Sequence, residues 1–149
     1  VCHPGQVQKY LNRISGPLLD RIDIHLEVVP VPFKKLNERD VSEPSSLIRE
    51  RVVKARLIQE ERFEGEMGVY CNAQMGSGLI KKHVELDSAG RELIKNAIEK
   101  LGLSARAYDR ILKVSRTIAD LDGSEKVESY HLSEAIHYRS LDRECWGAC

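Results

Sequence analysis

Residues 103–121 read LSARAYDRILKVSRTIADL, and apolar side chains recur in this stretch at the spacing of an α-helix. Ser104 is of a residue type that caps helix N-termini, and the pair Asp122 and Gly123 would end the helix. The side chains on its predicted buried face are Tyr108, Ile111, Leu112, Ser115, Ile118 and Ala119. The stretch therefore predicts a long amphipathic helix, which is the strongest indication of a mainly helical fold.

The segment before this helix shows the same periodicity. A helix is predicted after Asp87, with Gly102 just past its C-terminus, where a left-handed residue commonly closes a helix. Its apolar residues recur with helical spacing and are Leu93, Ile94, Ala97, Ile98 and Leu101. A shorter helix is expected near residues 78–82.

Two further helices complete the predicted bundle. One begins at Ser45 or Ser46, either of which can cap it, and fades near Phe63. Its apolar residues are Leu47, Ile48, Val52, Ala55 and Ile58. The last helix runs over about residues 130–139. Aromatic residues make up only 5% of the chain, so the core of this bundle is expected to consist of aliphatic side chains.

The N-terminal part has a different pattern. A short helix is predicted over residues 5–14, and Ser15, Gly16 and Pro17 break it. Residues 22–28 then alternate between apolar and polar side chains, with a period of two that is typical of a β-strand. A proline-containing connector follows. The predicted divisions are a helix–strand remnant of an α/β core over residues 1–32, a linker over 33–44, a helical domain over 45–142 and a tail over 143–149.

Composition limits the classes of function. The chain has 23 Lys and Arg residues against 23 Asp and Glu residues, so its net charge gives no argument for a polyanionic partner. It contains no apolar run of about 18 residues, which a membrane-spanning helix needs. The four cysteines form no CxxC pair and are interpreted as free thiols of a reduced cytoplasm. Cys2 and His3 are too few ligands for zinc, so no metal site is predicted.

The sequence holds no phosphate-binding loop of the form GxxxxGK[ST]. The nearest segment, residues 76–82, has the wrong spacing and is interpreted as a loop. A basic stripe is the better signal, because Arg106, Arg110, Lys113 and Arg116 recur along one side of the long helix. Two readings of this stripe stay open: a solvated helix face beside acidic neighbours, or a contact with nucleotide phosphates or a nucleic-acid backbone.

Three segments resemble one known family. They are residues 10–25 (YLNRISGPLLDRIDIH), residues 103–121, and residues 131–139 (HLSEAIHYR). Together they resemble the Mg-chelatase-like AAA+ ATPases, a group that includes a competence-related helicase. The resemblance implies that the chain is a C-terminal fragment, with the ATP-binding core before Val1, and that the helical bundle is the lid of that ATPase.

The resemblance also implies roles for individual arginines. Arg21 matches the position of an arginine finger, which acts in trans on the nucleotide of a neighbouring subunit. Arg106 matches the second sensor, a lid arginine that touches the γ-phosphate. Arg110 is a possible further nucleotide contact, and Arg13 is a competitor for these roles. Positive charge at these points would stabilise the transferring phosphoryl group.

The implied protein is a homo-oligomeric ring that uses ATP and Mg²⁺, with DNA as a possible partner and no membrane association. DNA remodelling or branch migration is the expected work of the intact protein. The fragment alone lacks the phosphate-binding loop, so it is expected to bind no cofactor and to hydrolyse no ATP. The alternative is a helical module that binds nucleic acid or protein and has no nucleotide role. Magnesium insertion is disfavoured, because shared ancestry does not transfer substrate.

Overall fold

The computed structural model describes residues 3–11, 13–31, 33 and 43–139. Within these residues the chain is mainly helical, as predicted, and contains no β-strand. Seven α-helices and one 3₁₀ turn, Asn72–Gln74, have both ends within this part of the chain. In chain order the helices are α1 (Pro4–Leu11), α2 (Gly16–Leu19), α3 (Ser45–Arg62), α4 (Ser77–His83), α5 (Ser88–Leu101), α6 (Ala105–Asp122) and α7 (Ser129–His137).

Helix α6 lies at the centre of the bundle. It packs against α3, α4 and α7 and against the 3₁₀ turn, while α5 packs on α7. Ile111, Ala119 and Leu132 are fully buried in the shared core, which is otherwise aliphatic apart from Phe63 and Met75. Burial of this apolar surface is the main favourable term in folding. The amphipathic pattern of residues 103–121 therefore predicted the element around which the rest of the bundle is arranged.

Local sequence signals set the ends of α5 and α6. The Asp87 carboxylate accepts a hydrogen bond from the Gly90 amide at 2.6 Å, so Asp87 caps the N-terminus of α5. Gly102 closes the same helix with φ of +62°, a value that non-glycine residues seldom adopt. Ser104 Oγ accepts from the Ala107 amide at 3.2 Å and caps α6. The predicted roles of Gly102 and Ser104 are confirmed.

Helix α3 has the predicted extent but not the predicted cap or burial. Pro44 occupies the N-cap position, and no side chain caps this helix. Only Ala55 and Gln59 are buried, because α3 meets the bundle along a narrow line. Its other large apolar side chains are exposed and are distributed around the helix; they are Leu47, Ile48, Val52, Val53, Leu57 and Ile58.

The strand predicted over residues 22–28 is wrong. Residues 24–31 have no helical or strand assignment, and no ladder partner occurs among the described residues. The expected faces are also reversed, because Ile24 and Leu26 are exposed while His25 is buried. Alternation predicts a strand only where a neighbouring strand supplies hydrogen bonds. The first predicted helix forms but is shorter, and ends at Leu11. Most of the predicted linker and all of the predicted tail lie outside the described residues.

Candidate functional site

The turn after α2 is attached to the bundle by the carboxylate of Asp20. Ser104 Oγ lies 2.9 Å from both oxygens of this carboxylate and donates its proton to it. Arg139 Nη2 lies 3.8 Å from Asp20 Oδ1 and forms an ion pair with it. Asp20 therefore links the N-terminus of α6 to the chain just beyond α7. We call this contact, together with its flanking bonds, the junction.

The flanking bonds extend the junction by five residues. The fully buried Arg139 guanidinium also donates to the Ile22 carbonyl. Asp23 is ion-paired with Arg110 of α6. The His25 amide donates to the Tyr138 carbonyl at 2.8 Å. Residues 20–25 are thus held by charged groups and backbone bonds to α6 and to the end of α7, even though they form no regular element.

The two arginines with predicted nucleotide roles are close in sequence to residues of this junction. Arg21 directly follows Asp20, and Arg106 is two residues after Ser104. Both side chains are exposed, and neither forms an ion pair within the described part of the chain. Arg110, by contrast, is engaged with Asp23. Arg13 is exposed and lies over the Tyr10 ring, with its guanidinium carbon 5.9 Å from the ring centre.

A second polar cluster is buried inside the bundle around Asp120. Both oxygens of this carboxylate accept from the guanidinium of Arg62, which reaches across from the end of α3. Arg116 Nε donates to Asp120 Oδ1 at 3.0 Å, and Asn72 Nδ2 donates to Oδ2 at 2.7 Å. We call these four residues the Asp120 network. It joins α3, α6 and the 3₁₀ turn.

The Asp120 network changes the interpretation of the predicted basic stripe. Arg116 is only 2% exposed, and its remaining donors bind the carbonyls of Ser124 and Glu125 at 2.5 and 2.8 Å. Burial lowers the pKa of Arg116, although Asp120 opposes that shift. Lys113 donates to the Ala73 carbonyl at 3.0 Å. The four cations therefore do not form one solvated face or one polyanion surface.

Several residues of both clusters were not predicted. Asp20 and Arg139 belong to segments that the resemblance covers, but nothing local indicates that one would meet the other across more than a hundred residues. Arg62 and Asn72 carried no signal, because polar residues near a helix end are usually solvated. Asp120 and Arg116 are spaced i, i+4 on one helix face, which was the single local sign of their contact.

Histidines and cysteines supply no metal site in the part of the chain that the structure describes. His131 is fully buried, and its Nδ1 accepts from the Glu128 amide at 2.9 Å, so it is a packed capping residue. Cys71 is a free thiol. Cys2, Cys145 and Cys149 lie outside the described residues. Over the same described range, no helix is long and apolar enough to cross a bilayer.

Comparison with protein families gives two matches that follow one another along the chain. Residues 42–139 match the family described as magnesium chelatase, subunit ChlI C-terminal. Residues 1–36 match the family described as magnesium chelatase, subunit ChlI. The first match covers the whole helical bundle, and the second includes the α2 turn with Asp20 and Arg21. The junction is thus the place where residues of the two family regions meet.

Curated relatives match over nearly the whole chain. The competence protein ComM of Haemophilus influenzae is 45% identical over 141 residues, which cover 94% of this chain and 27% of that protein. The uncharacterized protein YifB of Escherichia coli is 40% identical over 144 residues, covering 95% of this chain and 27% of its own length. The chain therefore spans about a quarter of the length of these relatives.

Proposed function

This chain belongs to the magnesium chelatase ChlI family, and from that premise we propose that it is the C-terminal helical part of a longer ATPase, to which it supplies two arginines for nucleotide hydrolysis. The observation that carries the proposal is the contrast among the arginines at the junction. Arg110 and Arg139 are ion-paired, while Arg21 and Arg106 are exposed and unpaired within the described residues. The unpaired guanidiniums are the ones available to an anionic ligand.

The chemistry suits phosphoryl transfer. Charge spreads over the transferring group in the transition state, and a guanidinium donates to it in a planar fork. Arg106 is in the first turn of α6, where the helix macrodipole disfavours a cation. That placement is unfavourable for the helix alone and is explained if a phosphate occupies the space beside it. We propose Arg106 as the sensor in cis and Arg21 as the finger in trans.

Mg²⁺ would accompany ATP in such an enzyme, but we assign it no ligand here. No three acidic, His or Cys side chains converge among the described residues. We therefore assign to this chain the role of supplying positive charge, and assign the metal and the phosphate-binding loop to the preceding part of the longer protein. The share of the relatives' length that lies outside the match leaves room for that part.

Mixing two variants of the full-length protein tests the cis and trans roles. Arg21→Ala and Arg106→Ala should each be nearly inactive, with the loss at Arg21 at least about a thousandfold. When the two are mixed in one ring, roughly a quarter of the sites combine an intact sensor with an intact neighbouring finger, so activity should return to about that level. Arg13→Ala is the matched control and should retain full turnover.

The outcomes are distinct. Mixed rings that stay inactive would show that one subunit supplies both arginines to the same nucleotide, and would overturn the division into a cis sensor and a trans finger. Full turnover by either single variant in an assembled ring would remove that arginine from the mechanism. Because one relative is named a competence protein, we further propose that the assembled ATPase works on DNA. Stimulation of ATP turnover by DNA tests this, and turnover indifferent to DNA would oppose it.

A binding module without nucleotide is the second candidate, and exposed apolar surface favours its protein-binding form. Helix α3 exposes six large apolar side chains. An apolar cleft of about 360 Å³ also lies between residues 23–26 and α6. Exposed apolar surface of this kind commonly marks a contact with another protein surface. A nucleic-acid-binding module was suggested by the predicted basic stripe of α6. That stripe no longer supports it, because Arg116 is buried and Arg110 is ion-paired.

A further inference from the structure

We propose that Asp20, Ser104 and Arg139 are positioning residues that fix Arg21 to the helical bundle, so that Arg21 and Arg106 move as one body. This inference rests on the proposed function for its consequence in catalysis. The contact itself is independent of any nucleotide. It concerns residues that were assigned no role by the resemblance or by the family matches.

The residues on both sides of Arg21 are held. The preceding residue, Asp20, binds Ser104 Oγ at 2.9 Å and is paired with Arg139. The carbonyl of the following residue, Ile22, accepts from the same Arg139 guanidinium. The Arg21 backbone is therefore fixed at two points, while its side chain is exposed. A single buried cation at the end of the bundle reaches both points.

The path from Arg21 to Arg106 is short. It runs from Arg21 to Asp20, across the hydrogen bond to Ser104, and along two residues of α6 to Arg106. Charge-assisted hydrogen bonds such as that of Asp20 are stronger than neutral ones. Arg139 is fully buried and Asp20 is 28% exposed, so salt screens their pairing less than that of two exposed groups. A displacement of the N-terminus of α6 should carry Arg21 with it.

Motion of this kind would couple two nucleotide sites. A sensor that follows the nucleotide of its own subunit would shift α6, and the attached finger would shift at the neighbouring subunit's nucleotide. The ATP state of one subunit would then set the turnover of the next through the junction. The predicted signature is positive cooperativity that depends on the bond between Asp20 and Ser104, separately from either arginine.

Ser104 permits a matched pair of variants. Its hydroxyl accepts from the Ala107 amide as the helix cap and donates to Asp20. Asp and Asn are both good N-caps, so Ser104→Asp and Ser104→Asn should both preserve α6. Asn still offers donors to Asp20, whereas Asp brings a second carboxylate against it. The two variants differ in one atom and in the charge at the junction.

Hydrogen exchange on this chain tests the contact without nucleotide. The His25 amide donates to the Tyr138 carbonyl across the junction and reports on docking. Ser104→Asp should lower protection of the His25 amide by at least about tenfold, while protection within α6 is retained. Ser104→Asn should match the unmodified chain. The proposed attachment of Arg21 to the bundle would be overturned if the His25 amide is equally protected in the unmodified chain and both variants, or is protected in none of them.

ATP turnover of the full-length protein tests the consequence. Ser104→Asp should lower kcat at least about tenfold, leave KM within about twofold, and abolish cooperativity, because Arg21 is misplaced and Arg106 is not. Ser104→Asn should leave kcat, KM and cooperativity as they are in the unmodified protein. If Arg21→Ala is inactive but Ser104→Asp has normal kcat and cooperativity, the proposed coupling is overturned, while the role of Arg21 as an arginine finger is retained. Normal turnover by Arg21→Ala would instead overturn the proposed function, and the coupling with it.

Discussion

The junction and the Asp120 network are built from the same chemistry in different surroundings. Each pairs an aspartate with cationic and polar partners, most of which come from distant parts of the chain. In the network, Asp120 and Arg116 are at most 3% exposed. In the junction, Asp20 and Asp23 keep 28% and 49% exposure. One set is part of the core, and the other attaches a peripheral segment to it.

The difference in burial indicates a difference in purpose. In the network, two guanidinium groups share one carboxylate, so the bundle encloses one positive charge in excess. Each buried N–H donor of these groups must therefore find a hydrogen-bond acceptor inside the bundle. The junction is more exposed to solvent, so water can form hydrogen bonds with the groups that a broken contact leaves unpaired. We therefore expect the network to contribute to the stability of the bundle, and the junction to hold residues 20–25 in place.

Removing the charge of Asp120 gives the largest expected effect. Asp120→Asn leaves the Arg62 and Arg116 guanidiniums buried without a counter-ion. The free energy of unfolding should fall by about 3–5 kcal/mol, as for other broken buried pairs. Urea denaturation of the chain measures it. Asp109→Asn on the same helix is the control and should change stability by less than about 0.5 kcal/mol. If Asp120→Asn lowers the free energy of unfolding by less than about 1 kcal/mol, the Asp120 network contributes no more to stability than a solvent-exposed contact such as the junction.

The pH dependence of stability gives an intermediate effect through His83. Burial lowers the pKa of His83, with Lys82 and then Arg62 adding to the shift. The unfolded chain therefore binds the proton more readily. Stability is fully present above about pH 6.5 and falls as pH drops below it, by at most about 1.4 kcal/mol per pH unit.

Urea denaturation between pH 5 and pH 8 checks this slope. His83→Leu should flatten it below pH 6.5, because the variant has no group to protonate at this position. Arg62 and Arg116, both of the Asp120 network, contribute to the pKa shift, so the slope also reports on the excess charge of that network. An unchanged slope in His83→Leu would assign the pH dependence to other groups.

The smallest effect is expected at the Arg110–Asp23 pair of the junction. A double-mutant cycle with Arg110→Gln and Asp23→Asn should give a coupling energy of about 0.2–1 kcal/mol, decreasing with added salt. The exposed Lys95–Glu99 pair on α5, with its atoms 3.9 Å apart, is the control and should give no more than about 0.5 kcal/mol. A coupling energy above about 2 kcal/mol that does not change with salt would show that the Arg110–Asp23 pair behaves as a buried ion pair, like those of the Asp120 network.

Local patterns predicted the elements whose cause is local. The extent of α3, α5 and α6 followed from apolar periodicity, and Gly102 and Ser104 acted as expected because a cap binds atoms within three or four residues. The exposed positions of Arg21 and Arg106 agree with a ligand role without testing it. The resemblance carried by residues 10–25 and 103–121 identified the family correctly.

Long-range pairing was beyond these patterns. Arg116 was assigned to a basic surface because its neighbours at helical spacing are basic, but Asp120 and Arg62 bring it into the core. The strand over residues 22–28 was wrong because alternation supplies no ladder partner. The second role of Ser104, as a donor to Asp20, was invisible because its partner is 84 residues away.

The amino-acid sequence by itself determined the helices of the bundle, the caps of α5 and α6, and the family, because those depend on spacing between near neighbours and on motifs read in order. Only the tertiary structure decided which arginines are neutralised and which are exposed. That outcome depends on the depth at which each guanidinium lies and on which distant carboxylate reaches it. Both are set by how α6 packs against its neighbours, because only packing brings charges from separate segments within bonding distance and removes water from around them.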